Sequence, residues 1–439
     1  METLICNNIA LLNGNTIAEN YYEEYNASYY NNLLEVEKRA KRLHIHSFHR
    51  YFGKLIPAIP RFAIKEFTKK GDLVLDPFCG SGTTLVESIA QNRNSYGLDL
   101  NPLSCLISNA KVSLIDINCL LHAKDNLLSE INHDNEMDYE KDTPFCININ
   151  HWFKPFVIKD LVVIKRNIDK MANGNIKNFF LSCLSSILRD VSNADPRHIF
   201  PGYSKRLRSI DANGGRSIDV LKKFEAATNK KIDSLNQLKE YTAADYTFSN
   251  AITGDARNFP DCINNVNLIV TNPPYISSIR YLEVAKLEMY WLNIISDSKE
   301  YLSLDKKIIG TERFYKDEYN SFNETGIYEI DAVSNKVFAA GHSKMSKTIA
   351  NYFNDMRKVF IEMYRVLTYK GYAVIKISDS FVRNELIPTH KYFIDIAENI
   401  GFKTIDVFKD KIENRSLLTK RNYYSKMITH DWILIFQKK

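Results

Sequence analysis

No stretch of this 439-residue chain approaches the roughly 20 consecutive apolar positions that a transmembrane helix needs. Nor does the N-terminus, METLICNNIALLNGNTIAENYYEEYN, have a basic start followed by a long apolar segment. No secretory leader or membrane partner is therefore expected, and the chain reads as cytoplasmic. Cysteine is sparse: there are seven, an odd number, and none forms a C-x-x-C pair. That excludes a disulfide framework or cysteine-based zinc site and leaves reduced thiols. The cluster His44-Ile45-His46-Ser47-Phe48-His49 has no cysteine or acidic partner at ligand spacing. It reads as a surface or hinge segment, and no metal is expected. A strong excess of one charge is also lacking. The net +6 permits a polyanionic partner without demanding one. No internal repeat is found.

What remains is an ordinary globular composition, 45% hydrophobic and 25% charged, in a chain long enough for two or three domains. Seven short runs read as strands: Asp72–Asp76, Ser95–Asp99, Ala251–Gly254, Asn267–Thr271, Tyr372–Ile377, Lys403–Phe408 and Trp432–Phe436. Most are nearly continuous apolar runs, as expected of strands covered on both faces. Helical patterns alternate with them at Thr83–Asn92, Pro102–Val112, Ile279–Ile294, Ile349–Leu367 and His390–Ile400. The alternation predicts an α/β fold with a mostly parallel sheet. Residues 114–250 interrupt it with helices of their own (Phe156–Met171, Asn178–Val191) and the basic stretch HIFPGYSKRLRSIDANGGRSIDVLKKF. A segment that long is an inserted domain rather than one connection. A second insertion, about 296–347, reads as a lid or binding loop.

The first strand runs into DPFCGSGTTLVES, Asp76–Ser88. A Gly-x-Gly turn between a buried strand and a helix lets backbone approach a ligand closely, and the helix start offers free N–H groups. A P-loop would need a lysine that is absent, and a dinucleotide fingerprint would need a glycine where Leu85 stands. A nucleoside cofactor without pyrophosphate remains. YGLDLNP places Asp99 at the next strand tip, roughly twenty residues on, where a carboxylate can accept both ribose hydroxyls. GDARNFP places Asp255 at a third tip, where it can accept from an exocyclic adenine amine. Each aspartate alone could be a helix cap; three strand-tip carboxylates around one glycine-rich turn suit a nucleoside bearing an amino acid.

TNPPY, Thr271–Tyr275, follows the apolar run Val266–Val270. Two prolines cannot continue a ladder, so alone this is a strand-ending turn. Downstream of DPFCGSGTT and GDAR, it resembles the catalytic (D/N/S)-P-P-(Y/F/W) motif of the S-adenosylmethionine-dependent DNA amino-methyltransferases, which act on adenine N6 or cytosine N4. DPFCGSGTT is similar to their cofactor motif, YGLDLNP to the ribose strand and GDARNFP to the adenine-contacting tip. HSFHRYFGKLIPAIPRFAIKEF resembles the segment over the methionine end, with Lys54 and Pro57 at its centre. The resemblance covers about Ser47–Asn109 and Ile252 to the C-terminus.

It implies a Rossmann-like class I methyltransferase sheet of seven strands ending in an antiparallel hairpin, with S-adenosylmethionine held by Lys54, Pro57, Asp76, Phe78, Gly80, Gly82, Thr83, Asp99, Leu100, Asp255, Ala256 and Asn272. The implied organisation is an N-terminal extension (1–46), a first methyltransferase part (47–113), the insertion as DNA target recognition (114–250) and a second part (251–439). The long insertion precedes the GDAR strand, unlike the best-known subgroups.

An aromatic or conjugated amine is a poor nucleophile because its lone pair is delocalised. Asn272 Oδ1 and the Pro273 carbonyl can accept from both N–H bonds and localise it, Pro273-Pro274 holds them rigidly, and Tyr275 offers a π face. A duplex base must be flipped out to reach such a corner. Double-stranded DNA is the expected partner, together with a cognate restriction endonuclease or defence subunit. Lys205, Arg206, Arg208, Arg216 and Arg280 are candidate DNA contacts, as is the basic stretch KDKIENRSLLTKRNYYSKMITH between the last two strands. Asn272 favours adenine N6, while ISSIRYLEVAKLEMYWL resembles some cytosine-N4 enzymes. The same motif also occurs in glutamine and RNA guanine-N2 methyltransferases; the large insertion and basic loop favour DNA.

Overall fold

The protein is described by a computed structural model covering residues 28–134, 138–242, 247–276, 280–412 and 428–439. One sheet carries seven strands: β1 (Leu73–Asp76), β2 (Asn94–Asp99), β3 (Ser249–Thr253), β4 (Val266–Thr271), β5 (Leu367–Ile377), β6 (Phe402–Lys411) and β7 (His430–Lys438). Their spatial order is β3-β2-β1-β4-β5-β7-β6. The first five are parallel, and β7 runs antiparallel between β5 and β6. All seven expected strands are present, several a few residues longer than their apolar runs. The register pairs Asp76 with Gly97, Asp99 with Thr253 and Thr271 with Ile375. Those pairings bring the three motif-bearing tips to one edge of the sheet, the carboxyl edge where open α/β sheets bind ligands.

Helices cover both faces: α1 (Tyr29–Arg39), α2 (Ala58–Phe67), α3 (Thr83–Ala90), α4 (Pro102–Val112), α5 (Ile117–His133), α6 (Pro155–Asp169), α7 (Asn175–Val191), α8 (Lys205–Ala212), α9 (Val220–Tyr241), α10 (Lys286–Trp291), α11 (Ser298–Lys307), α12 (Tyr328–Ala339), α13 (Ser343–Val366) and α14 (Thr389–Ile400). No helix among the described residues is long and apolar enough to cross a membrane. The helix expected over Ile279–Ile294 is broken: a short turn, Tyr281–Val284, and α10 meet at Ala285. The segment read as a lid carries α11 and α12, and α12 packs on α13. Of the basic stretch between β6 and β7, residues 413–427 lie outside the described residues.

The helices of the 114–250 segment do not bury their apolar faces only against one another. Leu161, Phe179, Phe180, Leu184 and Phe224 belong to one hydrophobic cluster with Val86 and Ile89 of α3, Leu103 and Ile107 of α4, and Trp291 of α10. The opposite sheet face packs a second cluster around Leu75, Ile269, Ile375, Phe353, Phe360 and Phe393. Phe180→Ala is expected to cost about 3–5 kcal/mol. Because its cluster runs through α3 and α4, the loss should lower the single main unfolding transition followed by circular dichroism. An added early transition, with the cofactor-side helices intact, is the contrary result.

Candidate active site

The carboxylate of Asp76, 3% exposed, sits at the end of β1 with both oxygens engaged. Oδ2 accepts from Thr84 Oγ1 at 2.6 Å, and Oδ1 from Thr271 Oγ1 at 2.7 Å and the Phe78 amide at 3.1 Å. Thr84 lies in the first turn of α3, and Thr271 is the residue before Asn272. Asp76 is therefore an internal tie between the glycine-rich turn and the TNPPY corner, not a group facing a ligand. Burial pushes its pKa up to about 6, against the opposing effect of the three donors.

The turn itself needs its glycines. Gly80 and Gly82 have φ of 49° and 76°, in the left-handed region. A Cβ on Gly82 would lie 2.8 Å from Ser108 Oγ, and one on Gly80 would lie 3.1 Å from the Tyr51 ring. From below, α4 grips the turn's carbonyls: Ser108 Oγ donates to Gly80 O at 2.8 Å and Lys111 Nζ to Ser81 O at 2.5 Å. Lys111 is fully buried, and its pKa is pushed well down by that burial and then by the Lys54 and Lys231 charges. Thr83, at the start of α3, and Phe78 flank the turn.

Asp99 ends β2 beside this turn. Its Oδ2 accepts from the Gly80 amide at 2.9 Å and its Oδ1 from the Asn101 amide at 2.8 Å, which leaves lone pairs on both oxygens. Burial raises its pKa to about 6. Leu100, next to it, is half-buried.

Asp255 is engaged differently from the sequence expectation: Arg257 Nη2 and Nε reach its two oxygens at 2.7 and 2.9 Å. Arg257 also pairs with Asp355 at 2.8 Å, so this tip is built into a salt-bridge cluster. Ala256 is buried in the core. Arg257 was not singled out from the sequence, although its place two residues after the aspartate is the available signal.

The segment 44–57 crosses above the turn. Contrary to a surface reading, His46 and His49 are buried: His46 Nε2 lies 2.7 Å from Glu87 Oε1, and His49 Nε2 lies 2.8 Å from Ser185 Oγ. The Lys54 ammonium donates to the His46 and His49 carbonyls at 3.0 and 2.7 Å. It locks its own segment, with Pro57 capping α2, and burial lowers its pKa to about 8.

At the end of β4, Asn272 Nδ2 donates to Gly53 O at 3.3 Å and the Tyr275 hydroxyl donates to Asn272 Oδ1 at 3.0 Å. Tyr352 of α13 donates to the Pro274 carbonyl at 2.9 Å. Lys376, Asp431 and Ser378 stand behind Tyr275 and were not anticipated. A lysine inside the apolar strand YAVIKIS is the signal that could have found Lys376.

The structure brings together Asp76, Gly80, Gly82, Thr83, Asp99, Asn272 and Tyr275. The hydrogen bonds and ion pairs of the basic candidates go to other groups. Lys205, Arg206 and Arg208 are exposed on α8, Arg206 pairing with Asp195 at 3.5 Å, and Arg280 is exposed beside Glu283. Arg216 is taken up by Asp211, the Ser192 carbonyl and Asn193.

A family model for DNA methylases of the N6/N4 type matches residues 13–110 and 266–439, both halves of this site. The chain belongs to that family. As a member it is an S-adenosylmethionine-dependent amino-methyltransferase of DNA. It is 26% identical over 405 residues to the Type II methyltransferase M.MvaI of Kocuria varians, covering 88% of each chain. It is also 23% identical over 456 residues to the Type II methyltransferase M.BsoBI of Geobacillus stearothermophilus, covering 93% of this chain and 88% of that one. A solved S-adenosylmethionine-dependent methyltransferase from Methanosarcina mazei covers 85% of the chain at 8% identity and a TM-score of 0.31, which adds nothing to the topology above.

The methylase site fits its cofactor. Asp99 at the tip of β2 keeps free acceptor capacity beside the left-handed turn, and Ser81 Oγ within that turn is buried without a hydrogen-bond partner among the described residues. Because the folded pKa of Asp76 is raised, its contribution to stability is full below about pH 4 and is lost as pH rises through about 6. A raise of about two units corresponds to roughly 3 kcal/mol. Asp76→Asn should therefore flatten the fall in stability between about pH 4 and pH 6. Denaturant midpoints at both pH values check it; an unchanged slope contradicts the assignment.

Proposed function

We propose that the chain methylates the exocyclic amine of a base flipped out of double-stranded DNA. The observation that carries this reading is Asn272. It stands at the tip of β4 with its amide oriented by Gly53 and Tyr275, one residue beyond the Thr271–Asp76–Thr84 tie to the cofactor turn. Asn272 Oδ1 has a second lone pair for one N–H of the target, and the Pro273 carbonyl is the second acceptor. Drawing both N–H bonds out of the ring plane localises the nitrogen lone pair for attack. The cofactor supplies a methyl group on a sulfonium, which leaves as a neutral thioether. Tyr275 provides an apolar face against which the base can stack.

Asn272 before Pro-Pro favours adenine N6. The stretch from Ile276 to Leu292 favours cytosine N4 by its resemblance to some enzymes of that kind, and both bases present the same amine to this corner. The 114–250 segment is the proposed DNA reader. Its loop is tied toward the site by Arg50, which donates to the His198 carbonyl at 3.0 Å from the same segment that reaches Asn272 through Gly53. Lys205, Arg206 and Arg208, exposed on α8, are the proposed backbone contacts, and Arg216 serves to hold that loop. A restriction-modification or defence setting, with a cognate endonuclease as partner in the cytoplasm, follows from likeness to Type II enzymes.

Single-molecule sequencing of DNA from cells expressing the chain should show one short motif modified, absent with Asn272→Ala. Mass spectrometry of the nucleosides identifies the base. Unmodified DNA from both cells would sink the reading. For the cofactor, Asp99→Ala should weaken S-adenosylmethionine binding about tenfold or more, the value of losing a hydrogen bond to a charged acceptor. Unchanged affinity by calorimetry removes Asp99 from the ribose site.

A further inference from the structure

Behind the TNPPY corner lies a chain of groups whose hydrogen-bond polarity is fixed. Lys376, at the carboxyl end of β5 and 8% exposed, places Nζ 3.3 Å from the Tyr275 hydroxyl oxygen. The same ammonium pairs with Asp431, whose other oxygen accepts from Ser378. Burial works against the charge on Lys376, but Tyr275 and Asp431 together hold its pKa above the ordinary value. An ammonium can only donate. The phenol oxygen therefore accepts from Lys376, and its single hydrogen is donated forward to Asn272 Oδ1, 3.0 Å away. Ser378 gives its own hydrogen to Asp431, while the phenol hydrogen goes to Asn272. On the other side of Asn272, the Gly53 carbonyl can only accept, and Nδ2 lies 3.3 Å from it. A carboxamide has one accepting end and one donating end. Both neighbours therefore select the same orientation.

We propose that Lys376 is a positioning residue for the methyl transfer: by fixing the direction of the Tyr275 hydroxyl, it keeps the oxygen of Asn272, rather than its NH2, turned toward the target amine. The proposal rests on reading Asn272 as an acceptor for that amine. Without the lysine, the phenol becomes able to accept as well as donate, and only the long 3.3 Å contact with the Gly53 carbonyl opposes a half-turn of the amide. Its NH2 would then meet the N–H of the base, donor against donor, and the lone pair of the target would stay delocalised. Lys376 touches no substrate in this account and acts only through Tyr275.

The test is a pair of double-mutant cycles in steady-state methylation of duplex DNA. Lys376→Met is combined with Asp431→Asn so that no lone carboxylate is left buried. In the otherwise native enzyme this pair should lower kcat about tenfold or more, with KM for DNA and cofactor within about twofold. Lys376→Arg, which keeps a donor, should retain most of kcat. In an Asn272→Asp background the pair should cost no more than about twofold, because a carboxylate presents an oxygen in either orientation. In a Tyr275→Phe background it should likewise add nothing, since the hydroxyl through which the lysine acts is gone; this arm decides if the Asn272→Asp enzyme is too slow to assay.

An equal loss in every background overturns the proposal and makes Lys376 a structural residue. No loss in the native background overturns it too. Full methylation by Asn272→Ala is a different failure: it removes the reading of Asn272 itself, whereas an inactive Asn272→Ala beside an unaffected Lys376 pair removes only the orientation role.

Discussion

The carboxylate of Asp76 is the contact on which the site's geometry depends. Three donors converge on it from the start of α3, the glycine-rich turn and the end of β4. Parallel neighbouring strands give a register but leave the loops beyond their tips free to diverge. A buried acceptor with two oxygens removes that freedom, because each threonine that let go would strand a polar atom away from water. The glycine-rich turn and the TNPPY corner are thereby held as one unit although Asp76 and Thr271 lie 195 positions apart and an entire helical layer is inserted between them. The cost is a carboxylate kept in surroundings that resist its ionisation.

Around this tie the site is layered by polarity. The glycine turn gives its Gly80 amide to Asp99, while Ser108 and Lys111 hold its carbonyls from beneath. Asp99 then accepts from the turn and still has capacity for a ligand hydroxyl. Asn272 is treated in the same way, held between the Tyr275 hydroxyl and the Gly53 carbonyl. Preorganisation of this kind places the desolvation penalties in folding rather than in the reaction.

Much of the fold was legible because the strands are buried on both faces and so appear as unbroken apolar runs. Motif spacing put Asp76, Asp99 and Asn272 at strand tips without knowledge of the sheet order. What could not be read was partnership across long separations. Arg257 stands only two residues after Asp255, but its bridge onward to Asp355, 98 positions away, leaves no local trace. His46 and His49 looked superficial because their partners, Glu87 and Ser185, lie far along the chain. Helical periodicity ran through Ala285, where the structure breaks the helix, since an apolar pattern records which face is buried but not where backbone hydrogen bonds stop. Lys376 stands out as a single charge in an apolar strand, but what it does is legible only once Asp431 and Tyr275 are seen beside it.

The shared cluster that joins α7 and α9 to α3, α4 and α10 also bears on how such a protein diversifies. A recognition module attached by two flexible crossings can be exchanged between relatives as a cassette. Here the inner face of the inserted helices is the outer wall of the cofactor fold, so a transplant would expose Val86, Ile89, Leu103 and Ile107 unless their complements travelled with it. Variation within the inserted segment is thereby channelled toward its outer loops, such as the one carrying α8, where residues can change without reopening the wall shared with α3 and α4.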